Sequence, residues 1–69
     1  MGCIAERTDK AFLSIIFKDH QEDIDAPFCV KHEDDFFIIT GLQDTLAVEM
    51  IIPTTLECYF EIRGISQEL

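Results

Sequence analysis

The sequence predicts a small all-β domain, a five-stranded antiparallel meander or barrel. Its 69 residues are enough for one domain with a limited core. Hydrophobic residues make up 48% of the chain, which separates it from disordered acidic sequences. Short segments rich in isoleucine, phenylalanine and valine alternate with acidic, glycine-containing or proline-containing segments that favour turns. Strands joined by such tight connections favour an antiparallel sheet.

The first two predicted strands flank an acidic segment. Ala11 to Lys18 is apolar on nearly both faces, which favours a strand. Residues 19–26 are predicted to form a loop, because aspartate and the proline that follows favour turns. The second strand is FCVKH, residues 28–32, with Phe28 and Val30 on one face.

Two further strands have clear boundaries. Glu33 to Asp35 has the length and chemistry of a hairpin turn. The third strand, Phe36 to Thr40, follows it, and Gly41 is predicted to end that strand. Leu56 to Arg63 has the most regular alternation in the chain and is predicted to be a half-buried strand. Gly64 closes it.

Residues 42–52 fit two kinds of secondary structure. As a strand they place alternate apolar residues on one face: Leu46, Val48, Met50 and Ile52. As a helix they have a capping box in Thr40 and Gln43 and a stop at Pro53. Apolar side chains would surround that helix, so we favour the strand. The alternative is an α+β fold with 42–52 helical. The segment 53–55 is predicted to make the last turn.

The sequence divides into three parts. Residues 1–10 are mixed and polar and predict an N-terminal arm, 11–64 a single β-rich domain, and 65–69 a C-terminal tail. Within the domain, Phe36 and Phe37 are adjacent and must point to opposite faces of a strand. The second face of the sheet would then expose apolar groups, which a homodimer or another partner can cover.

The charge balance is strongly acidic. Fourteen aspartates and glutamates oppose five lysines and arginines, giving a formal net charge of -9. Direct nucleic-acid binding is not expected, because it depends on lysine and arginine contacts to phosphates. Anionic membranes are repelled as well, and no apolar run approaches the ~20 residues of a membrane span. The surface is therefore expected to attract a basic protein.

The three cysteines, Cys3, Cys29 and Cys58, predict a reducing, cytoplasmic setting. An odd number at irregular spacing is not typical of a disulfide framework. Cys29 and Cys58 are interpreted as small core residues, because a buried free cysteine behaves as a small hydrophobe.

The motifs predict neither an enzyme nor a cofactor. The sequence contains no Gly-rich phosphate loop, serine elbow or Cys-x-x-Cys pair. The segment Asp19 to Asp25 is rich in metal-binding residue types. It lacks the glycine of a calcium loop, however, and Val30 stands at the twelfth position, where a glutamate is needed. A solvated acidic loop is the simpler interpretation, and a metal-binding loop is the weaker alternative.

These observations predict a small acidic binding protein that inhibits or regulates a basic, nucleic-acid-handling protein. Its carboxylates would stand where phosphates bind. The expected partner-binding residues are Asp19, Glu22, Asp23, Asp25, Glu33, Asp34, Asp35 and Asp44. The profile resembles, in type only, that of small phage-encoded or immunity-type inhibitors. The alternative is a homo-oligomeric structural β-module or a small subunit whose acids keep it in solution.

Overall fold

The structure is a computed structural model that describes residues 2–64, and it forms one open antiparallel sheet. The strands are β1 (Ala5–Arg7), β2 (Phe12–Phe17), β3 (Gln21–Glu33), β4 (Phe36–Gln43), β5 (Leu46–Pro53) and β6 (Cys58–Arg63). They lie in the order β5, β4, β3, β2, β6, and β1 pairs with β3. The predicted all-β antiparallel fold is confirmed. Residues 42–52 contain strand and a two-residue turn, so the helical alternative is wrong.

The predicted loop over 19–26 is wrong from Gln21 onward, because these residues begin the long strand β3. The first half of β3 pairs with β2, and its second half pairs with β1. Ile24 is fully buried, whereas its chain neighbours Asp23 and Asp25 are exposed on the opposite face of the sheet. The β3–β4 register shifts between Asp25 and Cys29, around the cis peptide bond of Pro27. A proline is tolerated in a strand at such an irregularity.

The sheet has six strands rather than five because part of the predicted arm joins it. Residues 5–7 pair with residues 28–30 of β3. The predicted tail, 65–69, lies outside the described residues. The strand that was expected to end at Gly41 continues to Gln43, so Gly41 lies inside β4.

One face of the sheet carries the core, and we call it the core face. Its buried residues are Leu13, Ile15, Ile24, Phe28, Val30, Ile39 and Ile52. The opposite side is the outer face. Phe37 packs against the core and Phe36 is 43% exposed, so the two do point to opposite faces as predicted. The same split separates buried Ile52 from exposed Ile51. Burial of the core face is the main term that stabilises such a domain.

Two tight turns place acidic residues at the two ends of β4. Glu33 pairs with Phe36, so the predicted hairpin turn is confirmed and consists of Asp34 and Asp35. Asp34 has a φ of 54°. At the other end, Asp44 and Thr45 link β4 to β5 with φ of 52° and 67°. Two-residue hairpins require such positive φ values, and aspartate adopts them more readily than most residues.

The interpretation of Cys29 as a free core cysteine is wrong. Cys29 is bonded to Cys3, with the two Cα atoms 5.5 Å apart. Its strand neighbours Phe28 and Val30 point to the core, so Cys29 points to the outer face. Cys58 has a free thiol and packs against the core, as predicted. Residues 1–10 have no recognisable strand pattern, so the sequence did not predict that this arm would pair with β3 and bring Cys3 next to Cys29.

Candidate functional site

Four of the predicted partner-binding residues gather at one end of the sheet, which we call the Asp44 end: Asp19, Glu22, Asp23 and Asp44. Gln43 connects them. Its Nε2 donates to Glu22 Oε1 at 3.1 Å and to the carbonyl oxygen of Asp23 at 3.3 Å. Asp44 follows Gln43 directly, so the turn lies beside the start of β3. Asp19 joins the group through His20, whose Nε2 lies 3.6 Å from Glu22 Oε2.

The carboxylate of Asp23 is partly used within the sheet itself. Ser14 is fully buried on the outer face, and its Oγ donates to Asp23 Oδ1 at 2.9 Å. Gln21 Nε2 donates to the same oxygen at 2.9 Å. Buried polar groups need such partners. Asp23 therefore adds a side-chain hydrogen bond to the pairing of β2 with β3.

Asp25 lies next to the Asp44 end. It pairs across the sheet with Phe12 of β2 and Leu42 of β4, which places it on the outer face, two residues along β3 from Asp23. It also lines a surface depression of about 410 Å³ together with Asp9 and Lys10. The structure therefore places Asp25 between the Asp44 end and this depression.

The remaining three acids form the opposite end, which we call the Asp35 end: Glu33, Asp34 and Asp35. All three are exposed. The amide N–H of Thr54 donates to the carbonyl oxygen of Asp35 at 2.9 Å. This bond ties the Asp35 end to the end of β5, so β5 runs from one acidic end to the other.

Few of these acids are neutralised by neighbouring bases. The two arginines pair locally: Arg7 Nη2 lies 2.6 Å from Asp9 Oδ2, and Arg63 Nη2 lies 2.9 Å from Glu61 Oε1. The hydrogen bond from Arg7 lowers the pKa of Asp9. Within residues 2–64, neither arginine nor lysine forms an ion pair with any of the eight predicted partner-binding acids. Their negative charge is therefore available for an external cation.

The metal-loop alternative concerns the surroundings of His20. The ring of His20 stacks on Phe17 with centroids 4.4 Å apart, and its Nδ1 lies 3.8 Å from Asp19 Oδ1. In the part of the chain that the structure describes, no three His, Cys, Asp or Glu side chains are grouped closely enough to hold a metal ion. Glu22 lies on the core face of β3 and Asp23 on the outer face, which separates these two acids as ligands.

An exposed apolar patch lies on the outer face of β4 and β5, and we call it the β4–β5 patch. It consists of Phe36, Ile38, Ile51 and Pro53, which pair directly across the two strands. Ile51 is 58% exposed. The pairs of adjacent apolar residues predicted that such a face exists. They did not predict that it adjoins the Asp35 end, which follows from the turn between β3 and β4.

Partial burial raises the pKa of the Cys58 thiol. A raised pKa leaves less reactive thiolate at a given pH. We expect iodoacetamide at pH 8 to modify Cys58 more slowly in the folded chain than in the chain unfolded in urea, as measured by mass spectrometry. Equal rates in both states would contradict the burial of this thiol.

These features define a small all-β domain with two acidic ends and an apolar patch on its outer face. No protein-family model matches the sequence, and neither a curated protein nor a solved structure does so. Across residues 2–64, the fold includes no helix with the length and apolarity needed to cross a membrane.

Proposed function

We propose that this chain is a small acidic binding protein that inhibits or regulates a basic, nucleic-acid-handling protein by electrostatic and steric occlusion. One observation carries the proposal: the exposed, unpaired acids of the Asp35 end adjoin the apolar β4–β5 patch. Protein interfaces combine an apolar centre with a polar rim. An anionic rim selects a cationic partner.

The two surface types act at different stages of binding. The carboxylates of both acidic ends attract lysine and arginine of the target and speed association. The β4–β5 patch is then buried against the target and loses its contact with water, which slows dissociation. The bound domain covers the target's cationic groove and so competes with nucleic acid for it.

We propose a cytoplasmic location and a homodimer as part of the same hypothesis, with the Cys3–Cys29 bond as the observation that opposes this location. The charge supports soluble partners rather than an anionic membrane. The Cys3–Cys29 bond favours an oxidising setting instead, because disulfides are rare in the cytosol. The redox state of the purified chain therefore bears on location independently of the partner.

Neutralising the Asp35 end tests the proposed function. We expect the triple variant Glu33→Gln, Asp34→Asn, Asp35→Asn to associate with the captured basic target about tenfold more slowly at low salt. The basic target is first purified from a cell extract by its binding to the immobilised wild-type chain. Surface plasmon resonance then measures its association rate with the wild-type and variant chains. The difference should shrink as salt rises, because screening weakens steering.

A charge-matched control separates the site from net charge. The variant Glu6→Gln, Asp9→Asn, Glu61→Gln loses the same formal charge away from both acidic ends. It should keep most of the wild-type association rate. Equal slowing in both variants would reduce the effect to net charge, and no slowing in either would remove the assignment. A stable homo-oligomer that captures no basic protein would favour the structural module instead.

A further inference from the structure

We infer that the free edge of β5 takes up an extended, lysine- or arginine-bearing segment of the partner as an added strand. The inference rests on the proposed function and specifies how the partner is held. Among residues 2–64, β5 pairs with β4 and with no other strand. Its second edge therefore presents alternate unpaired backbone N–H and C=O groups. Such an edge is a template for strand addition.

Before its last residue, Pro53, the edge of β5 lacks the prolines and lysines that block pairing. Lysines on edge strands discourage contact with other chains, and β5 has no lysine or arginine. Its one charged residue is Glu49. Leu46 is 69% exposed and Ile51 58%. The strand at the opposite edge of the sheet, β6, is shorter than β5. The ion pair between Arg63 and Glu61 lies on its outer face.

Acidic groups lie at both ends of β5 and at its middle. Asp44 precedes the strand, Glu49 lies at its middle, and the bond from Thr54 to Asp35 places the Asp35 end beside its last residue. A strand that pairs with β5 runs alongside all three points. Charge complementarity therefore selects a basic segment.

A second copy of this chain fits the edge poorly. Antiparallel pairing of two β5 strands would place the Asp44 end of one copy beside the Asp35 end of the other. Acidic groups would then meet at both ends of the interface. With a formal charge of -9 on each chain, like-charge contact disfavours this pairing. The partner segment is consequently cationic rather than a second β5.

The faces of β5 also determine the sequence pattern of the added strand. Val48 and Met50 lie on the core face and pack against the core, whereas Glu49 lies on the outer face. Cross-strand neighbours share a face. The added strand should therefore alternate apolar residues, which extend the core face, with lysines or arginines on the outer face. Their apolar stems would cover Ala47 and Ile51, and their charged ends would approach Glu49 and the acidic ends.

Synthetic peptides test this inference. The probe is a fluorescent peptide of the same length as β5 that alternates valine with lysine. One control replaces lysine with glutamate. A second keeps every side chain but methylates every backbone nitrogen, because alternate methylation would leave one edge of the peptide able to pair. We expect the methylated peptide to bind at least about tenfold more weakly in fluorescence anisotropy, because it cannot complete the ladder. Bound valine–lysine peptide should also slow amide hydrogen exchange in β5 but not in β6.

The outcomes separate this inference from the proposed function. Equal binding of the methylated and unmethylated cationic peptides would leave an acidic binding surface intact and overturn strand addition. Equal binding of the glutamate and lysine peptides would overturn both. Slow, concentration-dependent exchange of β5 amides in the free chain would show that a second copy occupies the edge, and would also overturn the inference.

Discussion

Replacing Gly41 with alanine should lower the free energy of unfolding by about 3 kcal/mol. Gly41 lies on the core face of β4, where the register of β3 shifts. A Cβ at this position would overlap the side chain of Ile24 and approach the carbonyl oxygen of Asp25 at 3.0 Å and Phe28 Cβ at 3.1 Å. The first contact needs a buried side chain to move, and the second involves backbone. Urea unfolding followed by circular dichroism gives the change.

Gly2→Ala is the matched control for this substitution. No heavy atom lies within 4 Å of a Cβ built at Gly2, so its unfolding midpoint should equal that of the wild type. If Gly41→Ala unfolds at the wild-type urea concentration, β3 does not cross β4 as closely as the structure shows.

Breaking the Cys3–Cys29 bond should have an effect of similar size. The bond closes a loop between residues 26 apart in sequence, and the loss of that constraint on the unfolded chain corresponds to about 3 kcal/mol. We expect Cys3→Ser to lower the melting temperature of the oxidised protein. The first strand, β1, should lose amide protection at the same time, because the bond lies beside its pairing with β3.

Reduction and a cysteine control complete this test. Cys58→Ser should keep the disulfide, and its melting temperature should still fall when dithiothreitol is added. Cys3→Ser should be insensitive to dithiothreitol. Intact mass of the wild-type protein, alkylated without reduction, should show one modified thiol. Three modified thiols in protein prepared under non-reducing, thiol-blocking conditions would contradict the bond and support the cytoplasmic location.

The alternation of apolar residues was sufficient to predict most of the sheet. It predicted β2, β4, β5 and β6, and it predicted that Phe36 and Phe37 part to opposite faces. It missed the first half of β3. In this strand the even-numbered residues Ile24, Phe28 and Val30 do point to the core, as strand alternation requires. Pro27 and the surrounding acids resembled a loop, so one long strand was interpreted as a loop and a short strand.

The candidate site was likewise predicted only in part from the sequence. Sequence alone showed two acidic clusters, and the turn at Asp34 and Asp35 was predicted correctly. It did not show that Asp23 binds buried Ser14, or that Asp25 lies across from Leu42 of β4. Those facts depend on which residues meet across strands, and a list of acids along the chain does not contain that register.

The sequence by itself determined the β class, most strand positions, the tight turns and the acidic surplus, because each depends on local alternation, turn chemistry or composition. Tertiary structure decided the pairing of Cys3 with Cys29, the inclusion of β1 and the grouping of acids around β5. These features arise from contacts between distant segments. Their positions are set by how the strands pair around a shared core.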